Sequence, residues 1–167
     1  MEEIRTVFAA IALAVSVASM YVARRAWIQS NRPIVTAAVV EYDSGDEGAV
    51  FNLFVSNTGN RPATNIRLKA KPEEIDKLLT SSEKEKKRQS SHDCFSDKAM
   101  LPLLRNGEEL TTSFGSIRKL GLAGEGLLYD SEIPIEITYK DLEGRDYRSR
   151  LTLKVHSREG FGGSVWK

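Results

Sequence analysis

The 167-residue chain has one cysteine, Cys94, and two histidines, His92 and His156. A single cysteine excludes an internal disulfide and a cysteine-rich zinc centre, and it fits a reducing compartment. An excess of charge is missing too: 24 basic residues face 23 acidic ones, for a formal +1. The first 32 residues hold Arg5, Arg24, Arg25 and Arg32 against Glu2 and Glu3, which leaves 20 basic and 21 acidic residues for the remainder. A domain that close to neutral lacks the basic excess of a general nucleic-acid binder, so no nucleic-acid partner is expected. Catalytic patterns are scarce as well. His92-Asp93-Cys94 has no further ligands to complete a four-ligand metal site, and Cys94 has no orienting context for a nucleophile. Gly121-Leu122-Ala123-Gly124-Glu125-Gly126 has no Walker lysine and is expected to be a plain loop. No metal, no cofactor and no enzymatic activity are expected.

What the chain does have is an uncharged stretch from Thr6 to Ala23. With Ile4, Ala26, Trp27 and Ile28 it reaches the roughly 20 residues that cross about 30 Å of hydrocarbon. The acidic start Met1-Glu2-Glu3 and the lack of a small-x-small cleavage site argue against a cleaved signal peptide. Arg24, Arg25 and Arg32 follow the span, whereas Arg5 before it is offset by two glutamates. The positive-inside rule therefore predicts a single-pass protein of the inner (cytoplasmic) membrane, with its N-terminus outside and its body in the cytoplasm. Ala9, Ala12, Ser16, Ser19 and Ala23 recur at spacings of 3 and 4, forming a seam of small residues. In lipid such a surface lets helices pack closely, which predicts a homo-oligomer.

After Asn31-Arg32-Pro33 the period changes from helical to two. Strands are expected over 34–42, 49–56, 65–70, 132–139 and 147–155, with shorter ones at 110–114 and 100–104. Phe51, Leu53 and Val55 share one face, as do Ile66, Leu68 and Ala70, then Ile133, Ile135, Ile137 and Tyr139, and last Tyr147, Leu151, Leu153 and Val155. Asp141-Leu142-Glu143-Gly144 reads as a hairpin turn. The expected architecture is mainly β: an immunoglobulin-like sandwich of about seven strands over 33–157, with the anchor at 1–32 and a flexible tail at 158–167. An insertion at 72–98 opens with a short helix, Pro72 to Leu79, and continues as a mobile, solvated segment from Ser81 to Lys98. Its Lys84, Lys86, Lys87 and Arg88 are candidates for contact with anionic lipid or an anionic ligand, and Phe161 and Trp166 in the tail for docking onto a neighbour.

Two stretches carry a resemblance. Val55-Ser56-Asn57-Thr58-Gly59-Asn60-Arg61-Pro62-Ala63-Thr64-Asn65-Ile66 resembles the V-x-N-x-G … A-x-N-I segment of bacterial immunoglobulin-like domains of the adhesion-associated (CARDB) kind. Ile137 through Tyr147 is similar to their closing hairpin. The order of parts also resembles small bacterial proteins with one N-terminal span, an Arg-Pro and a sandwich. The resemblance implies a fold and no activity. The expected function is a membrane-anchored, self-associating module that binds a protein partner. The alternative is a membrane effector of an antiviral (antiphage-type) signalling system. There, a signal or nucleotide bound by the β-domain would rearrange the helices and perturb the bilayer.

Overall fold

The computed structural model describes residues 1–45, 48–79, 88–118 and 126–155, with the side chains of residues 88–90 and 118 outside that description. The chain divides into two compact units, Met1–Arg32 and Pro33–Lys167.

The first unit is one helix, α1 (Glu2–Ser30), long and apolar enough to cross a membrane, with no buried residue along it. At 1.5 Å per residue it extends about 43 Å. Glu2 and Glu3 stand in its first turn, where carboxylates complement the helix dipole. It stops for two local reasons. The backbone N–H and the Nδ2 of Asn31 both donate to the Trp27 carbonyl at 2.9 Å, closing the last turn. Pro33 then disfavours a helical conformation at Arg32.

The second unit is a sandwich of seven antiparallel strands. β1 (Val35–Gly45), β2 (Gly48–Asn57) and β5 (Glu109–Arg118) form one sheet in the order β1-β2-β5. β3 (Ala63–Lys69), β4 (Met100–Leu104), β6 (Ser131–Lys140) and β7 (Asp146–Val155) form the other, in the order β4-β3-β6-β7. This is the immunoglobulin-like arrangement with the fourth strand carried over to pair with the third, instead of staying beside the fifth. The expected mainly-β class and the seven strands are therefore found, and β1 runs beside β7 to close one side.

Alternation explains which residues fill the middle. Phe51, Leu53 and Val55 from β2 meet Ile133, Ile135, Ile137 and Tyr139 from β6, with Phe114, Ile66, Leu68 and Leu153 between them, all buried. Strand β3 breaks the period: Ala63 and Ile66 are both buried although three residues apart. Asn65 absorbs the extra residue in a left-handed conformation (φ 52°), where the register to β6 shifts. Asparagine tolerates that region better than most residues do.

The insertion differs from its sequence expectation. Its first half is a short helix, α2 (Pro72–Lys77), followed by the buried Leu78 and Leu79. Residues 88–98 are not the solvated segment expected of them. They contain a second short helix, α3 (Arg88–Asp93), and pack onto β5. The Ser91 hydroxyl donates to the Phe114 carbonyl at 2.9 Å, and the Phe95 ring sits edge-on to Phe114 with centroids 6.2 Å apart. Two anchors four residues apart on an otherwise polar segment give little hydrophobic periodicity, yet they secure it to the sheet.

A close approach fixes the chain before β6. Gly126 bridges to Ile117 at a φ of 136°, and a Cβ there would lie 2.1 Å from the Ser116 carbonyl oxygen. Leu127 donates to that same oxygen at 2.8 Å, and Leu128 donates to the Leu78 carbonyl at 2.6 Å. Gly126→Ala is expected to cost about 2–4 kcal/mol, from backbone strain and steric overlap together. Gly144→Ala, at the open hairpin turn with φ 80° and nothing within 4 Å, carries the backbone strain alone, about 1–2 kcal/mol. Urea denaturation of the two variants should rank them in that order.

Candidate functional site

The two outer faces of the sandwich have opposite chemistry. On the β1-β2-β5 sheet the outward positions of β1 are Thr36, Ala38, Val40 and Tyr42. Those of β2 are Val50, Asn52, Phe54 and Ser56. In register, Phe54 lies between Ala38 of β1 and Thr111 of β5, and Asn52 lies between Val40 and Ser113. Thr36 and Ser56 bond each other through their hydroxyls at 3.0 Å. Charge on this face stands at its ends: Asp43 lies opposite Val50 beyond the β1 bulge, and Glu109 opposite Ser56 at the start of β5. A sheet face uncharged across its middle, with Phe54 at its centre and an exposed Tyr42 at its margin, has the composition of an interface core, where charge is depleted and aromatics are enriched.

The β4-β3-β6-β7 sheet presents charge instead. Arg67 and Lys69 project from β3, Lys140 from β6, and Arg148, Arg150 and Lys154 from β7. Three carboxylates stand among them. Glu136 lies between Arg148 at 3.4 Å and Arg150 at 3.3 Å, Glu132 pairs with Lys154 at 3.0 Å, and Asp146 pairs with Lys140 at 3.4 Å. The Glu132 bond holds the Lys154 ammonium above its ordinary pKa. Lys69 has no ion-pair partner among the described residues. Lys69, Lys71, Glu74, Glu136 and Arg150 also rim a shallow depression of about 540 Å³ floored by Pro134 and Leu151.

Where the chain enters the sandwich, polar groups are buried and fully used. The Asn57 side chain is completely inaccessible. Its Oδ1 accepts from the backbone N–H groups of Ile34 (3.2 Å) and Gly59 (3.1 Å), and its Nδ2 donates to the carbonyls of Arg61 (2.7 Å) and Leu104 (3.1 Å). The V-S-N-T-G motif is thus a structural knot that ties the start of β1 and the end of β4 to its own turn. Nearby, the Tyr139 hydroxyl donates to the Pro33 carbonyl at 3.4 Å, and its ring stacks on Tyr147 with centroids 5.7 Å apart.

Asp141 closes the β6–β7 hairpin. Its carboxylate accepts from the Arg145 N–H at 2.9 Å, from the Tyr147 hydroxyl at 3.1 Å and from the Arg145 guanidinium at 3.3 Å. Burial alone would raise its pKa. Those three donors outweigh burial and hold the carboxyl below its ordinary 3.8. Burial and the same carboxylate push the Tyr147 phenol up. A depressed carboxyl stabilises the fold above the unfolded pKa, and that contribution is lost as pH falls through the folded value. Acid unfolding below about pH 4 should therefore be steeper in the natural protein than in Asp141→Asn, as read by circular dichroism against pH.

The residues singled out from sequence fall in several places. Ala9, Ala12, Ser16, Ser19 and Ala23 lie on α1, within an arc of about 80° at 3.6 residues per turn. Ser16 donates its hydroxyl to the Ala12 carbonyl at 2.8 Å, so its proton is already engaged within its own helix. Arg24 and Arg25 are in the last two turns of α1, and Arg32 follows its end. Lys84, Lys86 and Lys87, together with Phe161 and Trp166, lie outside the described residues, and Arg88 is described only as backbone, in α3. The Gly121–Gly124 stretch and His156 are outside them too.

His92 turns to Asp76 of α2, with Nε2 3.2 Å from Oδ1, and so joins the two short helices. Cys94 is half-buried beside a groove of about 490 Å³ between β4 and β5, and burial with the neighbouring Asp93 raises its thiol pKa. Among the described residues no three His, Cys, Asp or Glu side chains converge on a metal-sized site. The two faces were missed by sequence reasoning because each is assembled from three or four strands. The alternate residues of β6 and β7 carry the signal, but only the register sums it.

No curated protein and no solved structure matches the chain. One family does, over residues 3–159, so that its match takes in both the helix and the sandwich, and the chain belongs to that family, described as a domain of unknown function, DUF8453.

Proposed function

We propose that this protein is a self-associating, membrane-anchored interaction module: α1 crosses the inner (cytoplasmic) membrane once, and copies meet through the sandwich and through the helix. The outer face of the β1-β2-β5 sheet, uncharged across its middle, carries this reading. A second copy is the occupant that suits it, because the middle of the face, from Val40 and Asn52 to Phe54 and Thr111, has no charge to repel its own image in a two-fold contact. The small-residue arc on α1 supports the same outcome from within the bilayer, where close approach of backbones drives association. A shared anchor confines copies to two dimensions and raises their effective concentration, so even a modest face-to-face contact becomes effective. The arginines after the helix orient the sandwich to the cytoplasm, leaving its charged face open to a further partner.

Two measurements test this. Sedimentation of the full chain in mild detergent should give an oligomer that dissociates on dilution; a monomer at every concentration overturns self-association. Reporter fusions at the C-terminus should be active only as cytoplasmic reporters, and periplasmic activity would overturn the orientation.

A further inference from the structure

We infer that the charged outer face of the β4-β3-β6-β7 sheet is a docking surface for anionic phospholipid headgroups, which lays the sandwich down on the bilayer that α1 crosses. The inference rests on reading α1 as a membrane anchor and is independent of self-association. Charge segregation carries it. Residues 33–167 hold 20 basic and 21 acidic side chains, a net −1, yet this face gathers six basic side chains against three acidic ones. The rest of the unit is left with fourteen basic and eighteen acidic residues. Such a domain is electrically polarised: an anionic plane attracts one side and repels the remainder.

The internal pairing does not cancel the surplus. Glu136 is one carboxylate facing two guanidinium groups, and Lys69 lies beside it in register without an ion-pair partner among the described residues. The one carboxylate that Arg67 reaches among the described residues is the highly exposed Asp97, at 4.0 Å. The depression floored by Pro134 and Leu151 adds a notch open to solvent, rimmed by Lys69, Lys71 and Arg150 against Glu74 and Glu136, three cations to two carboxylates. Shape agrees with charge. From Glu132 to Lys140 the face extends about 27 Å along β6, a pleated plane able to meet another plane over its whole length.

Proximity then favours lipid over a soluble acidic protein. Only residues 31–34 separate the last residue of α1 from the first of β1. Fully extended, the chain from Ser30 to Val35 spans at most about 17 Å. So short a tether gives headgroups a high effective concentration at the sandwich, and long lysine and arginine side chains can meet them while their stems stay over Pro134 and Thr152.

The test uses the full chain, one copy per nanodisc, with Cys94→Ser and a spin label attached through Thr152→Cys on the charged face. Discs of phosphatidylcholine alone are compared with discs containing phosphatidylglycerol. The expected result is a several-fold fall in collision of the label with a water-soluble relaxation agent on the anionic discs. High salt should reverse that fall, because screening shortens the reach of exposed charge, and so should Arg148→Gln with Arg150→Gln. A label attached through Thr111→Cys on the opposite face should stay accessible in every case. Equal accessibility of the Thr152 label on both kinds of disc overturns the inference and leaves the face to an acidic protein partner. Anionic headgroups are present on both sides of a nanodisc and each disc holds one copy. A wrong orientation or a failure to self-associate would therefore leave this measurement unaffected.

Discussion

Replacing Asn57 by alanine is expected to lower the stability of the sandwich by about 3–4 kcal/mol, more than truncating most exposed residues could. The side chain makes four hydrogen bonds, and alanine removes them all at once. Water can reach the freed Ile34 N–H and Arg61 carbonyl, whose bonds are part-buried, but the Gly59 N–H and the Leu104 carbonyl stay dry. Each dry, unsatisfied group costs about 1–3 kcal/mol. Asn57→Asp makes the explanation specific. It keeps an acceptor for the two N–H groups but turns a second oxygen on the carbonyls of Arg61 and Leu104, 2.7 and 3.1 Å from the present nitrogen. That carboxyl has a raised pKa in the folded state, so the penalty is full at neutral pH and shrinks as pH falls and a proton restores one donor. Thermal melts of both variants against the natural protein, at pH 7 and at pH 4.5, separate the cases. The aspartate variant should recover part of its loss at the lower pH, and the alanine variant should not. Equal behaviour at the two pH values would sink the account of Asn57 as a donor to buried carbonyls.

That knot marks the boundary of what the residue pattern discloses. Strands with strict alternation were legible almost to the residue: EIPIEITY and YRSRLTLKV lie within β6 and β7, and AVFNLFVS within β2. Their signal is local, since every second side chain must enter the core. Asn57 and Asn65 lie in the stretch that resembles a known immunoglobulin-like segment, but their roles need partners far along the chain or a backbone conformation that composition does not display. The packed half of the insertion was lost for the opposite reason. Ser91 and Phe95 are two anchors in a polar run, too few to raise a periodic signal, and Ser91 is buried because of what β5 offers it. The charge of the two faces falls between these cases. Alternating residues of β7, Arg148, Arg150 and Lys154, spell out a basic row, but only pairing with β6 and β3 shows that three strands contribute to one face.

Phe54→Glu combined with Ser16→Leu and Ser19→Leu is expected to abolish self-association of the full chain, whereas either change alone weakens it. Phe54 sits at the middle of the uncharged face, between Ala38 and Thr111 in register. In a two-fold contact the new carboxylate meets its own copy, so one substitution introduces a like-charge pair into a desolvated centre. On the helix, leucine fills the arc where Ala12, Ser16 and Ser19 permit close approach, and it holds the backbones apart. The Ser16 hydroxyl already donates to the Ala12 carbonyl, so the small size of the residue, and not a bond across the helix pair, is what the contact uses. Ser16→Ala with Ser19→Ala should therefore associate as the natural protein does. Two linked contacts strengthen each other through effective concentration, and losing either should cost about 100-fold or more in apparent affinity. Energy transfer between labelled copies, followed as the protein is diluted with lipid in liposomes, measures this directly. Thr138→Glu on the opposite sheet face should leave the transfer curve unchanged. A Phe54→Glu protein that associates as tightly as the natural one would remove the sheet face from the interface, and the same result for the leucine pair would remove the helix. If the natural protein transfers no energy even at high density, the module is monomeric and its uncharged face is left for a different protein.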